Sequence, residues 1–247
     1  MSIAFMTEAG VAVPAITTDQ MREVDRVAIE EVGPNLFQMM ENAGRSLALS
    51  AIQLLGTDWR AQPILVLAGP GGNGGGGICA ARHLANRGAN VTVVVSDEDR
   101  LGPVPSEQLD IYRGTPGQIA TTDELATCDP ALVIDAVIGY SLGGVPHGPA
   151  GDMIEWSAES PAPTLSLDVP SGMDATTGEA PGVHVSANRT VTLALPKSGL
   201  VGFPVGELWL ADIGITAEVY RRVGIDVPPT LFGTDFVVRL SREIIGS

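Results

Sequence analysis

The chain has 247 residues, 14 Lys plus Arg against 29 Asp plus Glu, a formal net charge of −15, and 45% hydrophobic side chains. That length suits one α/β domain with a sizeable core, and a 17% charged fraction at this hydrophobicity excludes a disordered chain. The acidic balance argues against nonspecific binding to nucleic acid, and no run of about 18 apolar residues is present to span a membrane.

In chain order, residues 1–13 carry no basic group and only scattered apolar ones, so they do not read as a signal peptide. Thr17 and Gln20 form the ends of a capping box that opens a helix with Met21, Val24 and Ala28 on one face. Gly33-Pro34 ends it. A second helix follows, with Leu36, Met39, Met40, Ala43, Leu47, Ala51 and Leu54 at three- and four-residue spacing. The pair Met39-Met40 reads as core packing.

The pattern then changes to alternating strands and helices. Pro63-Ile64-Leu65-Val66-Leu67-Ala68 is a short apolar run ended by glycines, the form of a buried parallel strand. A helix is expected over about residues 78–86, then strands at 91–95, 131–135, 164–168, 189–194 and 207–211. A short helix near 218–223 and a β-like stretch at 236–240 close the chain. This order predicts a Rossmann-like three-layer sandwich, a mostly parallel central sheet with helices on both faces, as a single domain over residues 1–247.

In open α/β sheets ligands bind beyond the carboxyl ends of the strands. Three predicted strands end there in chemistry-bearing sequence: Gly69-Pro70-Gly71-Gly72-Asn73-Gly74-Gly75-Gly76-Gly77, Asp135-Ala136-Val137-Ile138-Gly139, and Asp168-Val169-Pro170-Ser171-Gly172. Glycines at a helix start expose backbone N–H groups that can cradle a phosphate. Two carboxylates with oxygen from Asn73 and Ser171 can hold a hard cation. Lys197 is the one lysine beside thirteen arginines, a compact ammonium where the chain otherwise supplies guanidinium. The two cysteines, Cys79 and Cys128, read as buried thiols in a reducing cytoplasm, and His83, His147 and His184 are isolated, so no zinc cluster is expected.

Gly69, Gly71 and Gly74 also fit the dinucleotide fingerprint G-x-G-x-x-G, with Asp97 after the next strand, which keeps an NAD-dependent dehydrogenase in play. No Lys-Ser/Thr follows the glycines, which excludes a P-loop, and no Gly-x-Ser-x-Gly elbow is present.

Taken together, the motifs resemble those of the YjeF N-terminal domain family, the NAD(P)H-hydrate epimerases. The glycine run precedes Ala80-Ala81-Arg82-His83-Leu84, and Met40-Glu41-Asn42-Ala43-Gly44 follows an opening of the form Met21-Arg22-Glu23-Val24-Asp25. Asp135 to Gly139, Asp168 to Ala175, Leu195-Pro196-Lys197-Ser198-Gly199-Leu200 and Asp212-Ile213-Gly214-Ile215 follow in family order, over about residues 16–216.

The resemblance implies epimerisation of hydrated NADH or NADPH, which carries a hydroxyl at C6, so that a separate S-specific dehydratase can restore the cofactor. Residues 217–247 are too few to hold that dehydratase in fusion. It implies a potassium ion on Asn73, Asp135 and Ser171, and a substrate held by Gly72, Asn73, Gly74, Gly75, Gly76, by the loop Gly139, Tyr140, Ser141, Leu142, Gly143, Gly144, Val145, and by Asp168. Family members often dimerise, so a homodimer is one expectation. Inverting the carbon, by ring opening or reversible loss of water, needs a proton acceptor and donor. Asp168 is the first candidate, as a carboxylate at a buried strand end, with Lys197 positioning that carboxylate or a phosphate. Gly72 and Gly76 stand where the family motif has Asn and Asp. A noncatalytic nucleotide-binding or scaffold module of the same fold is therefore the alternative.

Overall fold

The computed structural model describes residues 2–245. Two short strands, β1 (Ser2–Thr7) and β2 (Ala12–Val13), precede helix α1 (Thr18–Val27). The Thr17–Gln20 capping box is formed in both directions, with Thr17 N donating to Gln20 Oε1 at 2.9 Å. Met21, Val24 and Ala28 are buried as their spacing predicts. A second capping box, Asn35 with Gln38, opens helix α2 (Leu36–Leu55).

From there the chain alternates: β3 (Pro63–Ala68), α3 (Gly72–Ala85), β4 (Asn90–Val95), α4 (Pro103–Arg113), β5 (Gln118–Ala120), β6 (Leu132–Ala136), α5 (Gly148–Glu159), β7 (Thr164–Leu167), β8 (Arg189–Leu193) and β9 (Glu207–Ala211). Helix α6 (Ala217–Arg222) and strand β10 (Val237–Ile245) follow. Five elements were not legible in the sequence. β1, β2 and β5 are short strands, and α4 and α5 begin in Pro103-Val104-Pro105 and Gly148-Pro149, which read as loop. Proline is tolerated in a first helical turn, where its missing N–H has no intrahelical partner to lose.

The glycine run corrects an expectation more sharply. Helix α3 begins at Gly72, not near residue 78, so most of the run is helix and only Gly69, Pro70 and Gly71 make the turn. The reason is close packing. A Cβ on Gly74 would lie 1.8 Å from Gly69 O, one on Gly75 2.6 Å from Met40 Sδ, and one on Gly77 2.5 Å from Ala136 Cβ. Helix propensity disfavours each glycine by about 1 kcal/mol. Contact with α2, β3 and β6 outweighs it.

All ten strands form one sheet in the order β2-β1-β10-β9-β8-β7-β6-β3-β4-β5. The seven strands from β9 to β5 pair in parallel, and β10, β1 and β2 add an antiparallel edge. Alternate residues serve the two faces. Ile64, Val66 and Ala68 pack with α2 and α3, whereas Leu65 and Leu67 pack with Met153 and Ile154 of α5. Of the two thiols, Cys79 is buried in α3, where burial pushes it up to about 12, but Cys128 is only half-buried. Cys128 follows the short 3-10 turn Thr122–Thr127 and packs on the margin of the Leu65–Met153 cluster. No helix among the described residues is long and apolar enough to cross a membrane.

Candidate active site

The chain runs outward from β3 through β4 to β5, then returns to the other side of β3 and runs through β6, β7, β8 and β9. The strand order therefore reverses between β3 and β6, which is where crossovers leave to opposite faces and open a crevice beyond the strand ends. A cavity of about 560 Å³ lies there, within the ~300–1,000 Å³ span of small-molecule sites. Its wall includes Gly72, Asn73 and Gly76 from α3, the loop from Gly139 through Val145, and Asp168 and Lys197. Gly74 and Gly75, expected to hold ligand, are buried and absent from the wall because they face Gly69 and Met40. Met39 and Met40, read as core, are buried and also line the cavity.

Asp168 and Lys197 form a buried ion pair, 3% and 1% exposed. Lys197 Nζ donates to Asp168 Oδ1 and, at 2.8 Å, to the Leu193 carbonyl. Asp168 Oδ2 accepts from the Tyr140 backbone N–H at 3.0 Å. The carboxylate is aimed by its backbone: Asp168 sits at φ +68°, and Ala194 at the end of the neighbouring strand is at φ +63°. Left-handed backbone costs most residues roughly 1–2 kcal/mol, and aspartate tolerates it better than most. Two such residues at adjacent strand ends are strain held at one place.

Asp135 is fully buried one strand over and does not touch the cavity. Four donors meet it: Ser171 N at 2.9 Å, Ser166 Oγ at 2.7 Å, Val137 N at 3.3 Å and the Ser171 hydroxyl. Ser171 Oγ in turn accepts from Ile138 N at 2.8 Å, so it pins the loop that carries Tyr140. Burial pushes the Asp135 carboxyl up, and the hydrogen bonds from Ser171 and Ser166 offset this only in part. Among the described residues no side-chain cation is paired with it. The Asn73 side chain packs against Gly139, and its Nδ2 is a buried donor with no hydrogen-bond partner. The Asp135 carboxyl, the Ser171 hydroxyl and the Asn73 amide oxygen are hard donors of the kind a hard cation takes.

A separate cluster was missed in the sequence. Glu41, Cys79 and His83 present ligand atoms all within 4.8 Å of one another. The histidine is isolated along the chain, but α2 and α3 bring the three together. That group is closed by Arg82, whose guanidinium bonds both Glu41 and Cys79 Sγ, and it lies outside the cavity. Two further wall residues were given no site role in the sequence: Asp25 of α1, the last residue of the Met21–Asp25 motif, and Arg100 after β4, which carried no local signal.

A doubly wound α/β protein with a small-molecule cavity at the strand-order reversal is the class that fold and site define. The chain belongs to the YjeF-related protein N-terminus family, whose model matches residues 36–199. It is 46% identical over 241 residues to an NAD(P)H-hydrate epimerase of Dehalogenimonas lykanthroporepellens, an alignment covering 98% of both chains. An NAD(P)H-hydrate epimerase of Truepera radiovictrix is 36% identical over 84% of this chain and 93% of its own. A bifunctional NAD(P)H-hydrate repair enzyme of Hyperthermus butylicus is 40% identical over 85% of this chain, but this chain spans only 40% of that protein. The crystal structure of the yeast protein ynu0 shares the fold, with a TM-score of 0.80 at 21% identity over 92% of this chain and 100% of that one.

Proposed function

We propose that this chain is an NAD(P)H-hydrate epimerase, an isomerase that interconverts the R and S forms of hydrated NADH and NADPH in nicotinamide cofactor repair. The observation that carries the reading is a buried acid–base pair, Asp168 with Lys197, in a cavity of ligand size, in a chain 46% identical to a named epimerase over 98% of both lengths. The whole chain acts as one domain, and β1 and β10 belong to it. A separate S-specific dehydratase consumes the S product in the cytoplasm.

Asp168 is the base that takes the C6 hydroxyl proton and returns it. Lys197 pairs with the carboxylate in a dry site and holds it toward the cavity. Tyr140 and the loop through Val145 close around the reacting ring, while Gly72, Asn73 and Gly76 at the start of α3 meet the rest of the nucleotide. Asn73, Asp135 and Ser171 would hold a potassium ion, which would supply positive charge beside the buried Asp135 carboxyl.

The test is direct. R-hydrate incubated with the protein, an S-specific dehydratase and ATP should return NADH absorbance faster than spontaneous epimerisation permits. No acceleration at micromolar protein, with hydrate binding intact, would leave a noncatalytic nucleotide-binding module as the reading. Tight binding of intact NAD with hydride transfer to a second substrate would favour a dehydrogenase instead.

A further inference from the structure

Asp25 stands in the cavity wall with no part in the chemistry assigned to Asp168 and Lys197. Other acidic residues along α1 face solvent and pair locally, Asp19 with Arg22 and Glu23 with Arg26. Asp25 instead faces inward, and its Oδ2 accepts from Tyr140 Oη at 2.6 Å. The Tyr140 backbone N–H is the same group that donates to Asp168 Oδ2 at 3.0 Å, and its ring centroid lies 5.9 Å from Lys197 Nζ. Tyr140 therefore links the two carboxylates of the cavity, one through its backbone and one through its phenol. A carboxylate is not needed to tie α1 to this loop, because Thr18 Oγ1 already donates to the Tyr140 carbonyl at 3.2 Å.

Epimerisation moves two protons. In the ring-opening route the hydroxyl proton leaves, C6–O becomes a carbonyl, the C6–N1 bond breaks, and its electron pair on N1 takes a proton. Closure on the opposite face reverses every step. A single carboxylate would have to take the hydroxyl proton and then carry it across to the nitrogen, whereas a second group lets the two transfers proceed together. We propose that Asp25 is a second catalytic group, which exchanges a proton with the ring nitrogen through the Tyr140 hydroxyl while Asp168 handles the hydroxyl proton. Tyr140 Oη gives its proton to N1 and draws one from the protonated Asp25. On closure N1 returns the proton by the same path, and Asp168 returns its own to the oxygen, so atoms and charge balance without any co-reactant. This rests on the epimerase reading above.

The surroundings agree with that division. The titratable groups that face Asp25 are Tyr140, Lys197, Asp168 and Tyr220 of α6. Burial pushes the Asp25 carboxyl up; the Tyr140 hydrogen bond and Lys197 oppose this, and Asp168 adds to it. Burial and the nearby Asp25 push the Tyr140 phenol up as well, so the phenol stays protonated and Asp25 is the member that titrates. Its working form is the acid. Activity should fall as pH rises through its raised value.

The experiment follows the ratio of R to S hydrate by chromatography, starting from one epimer, for wild type, Asp25→Asn, Tyr140→Phe and the double variant. Asparagine is isosteric and its oxygen still accepts from Tyr140, so melting temperature should change little. We expect kcat to fall about 100-fold in each single variant, with KM within about threefold. The double variant should be no worse than the poorer single one, because the two groups act as one relay. The alkaline fall of kcat expected of the wild type should be absent in Asp25→Asn. An Asp25→Asn protein within about threefold of wild type, losses that multiply, or a rise in KM alone would each overturn the assignment. If Asp25→Asn does not fold, Tyr140→Phe with its pH profile carries the same test. A wild-type chain that leaves the epimer ratio untouched sinks the epimerase reading itself, whereas an active wild type with an unimpaired Asp25→Asn sinks only this inference.

Discussion

At the scale of single residues, the lone lysine is the position where chemistry and stability meet. Lys197 is 1% exposed and its ammonium bonds both Asp168 and a backbone carbonyl. Removing one partner of a buried pair leaves an uncompensated charge, so Lys197→Met should cost about 3–5 kcal/mol of stability, read by denaturant unfolding. Lys197→Arg keeps the charge but places a longer, forked group in a space shaped for a compact one. It should fold with a lower melting temperature and lose roughly 100-fold in epimerisation rate, the cost of displacing Asp168 by a fraction of an ångström to an ångström. Asp135 poses the complementary case, a buried carboxylate without a side-chain cation. Exchanging sodium for potassium should raise the melting temperature, by about 2.7 kcal/mol of linkage when the ion is at 100 times its Kd. Asp135→Asn keeps the shape and removes the charge, so its melting temperature should no longer respond to the exchange.

At the scale of elements, α3 shows how one residue type serves different ends. A Cβ added at Gly72 would have nothing within 4 Å, whereas one at Gly77 would meet Ala136 Cβ at 2.5 Å. Gly72→Ala should therefore stabilise the helix by about 0.5–1 kcal/mol, since glycine in a helix loses more backbone freedom than alanine. Gly77→Ala should destabilise by about 1–3 kcal/mol through overpacking. The same contrast bears on the two positions where the family motif has Asn and Asp. Gly72→Asn enters open space in the wall and should raise the rate roughly tenfold, about 1.4 kcal/mol of regained polar contact. A Cβ on Gly76 comes 2.7 Å from Leu167 Cδ2. Gly76→Asp therefore has to displace the end of a core leucine and should lower the melting temperature. Steady-state rates and melting curves on both variants separate these outcomes.

At the scale of the whole molecule, the two ends of the chain complete one sheet edge. β10 pairs with β9 on one side and β1 on the other, with Phe5 opposite Arg242 and Val237 opposite Ala211. Phe5 and Leu240 are buried in the same apolar cluster as Val24, Ile213 and Tyr220, beside the helix that carries Asp25. Truncation after Gly233 would remove β10, leave β1 without its main partner and expose the β9 edge. We expect a melting temperature lower by about 10 °C, corresponding to ~3 kcal/mol for a chain of this size. Because the loss falls on the cluster behind α1, epimerase activity measured well below the transition should also decline.

The sequence by itself determined the elements whose signals are local. β3, β4 and β6 are mostly apolar runs of strand length, β7 to β9 are short segments in which polar and apolar residues mix, and α1 opens on a capping box four residues long. It also located the carboxylates Asp135 and Asp168, because the end of a strand is a local property. Tertiary structure alone decided which of these meet a ligand. Asp135 is closed off by Ser166 and Ser171, while Asp168 is turned into the cavity at positive φ. Asp25 reaches the same wall from a helix 115 residues from its partner Tyr140. The glycine run became helix because α2, β3, β6 and β7 crowd it, and no short-range pattern encodes that crowding. Capping and periodicity act over a few residues, whereas a cavity wall is set by which strands lie side by side.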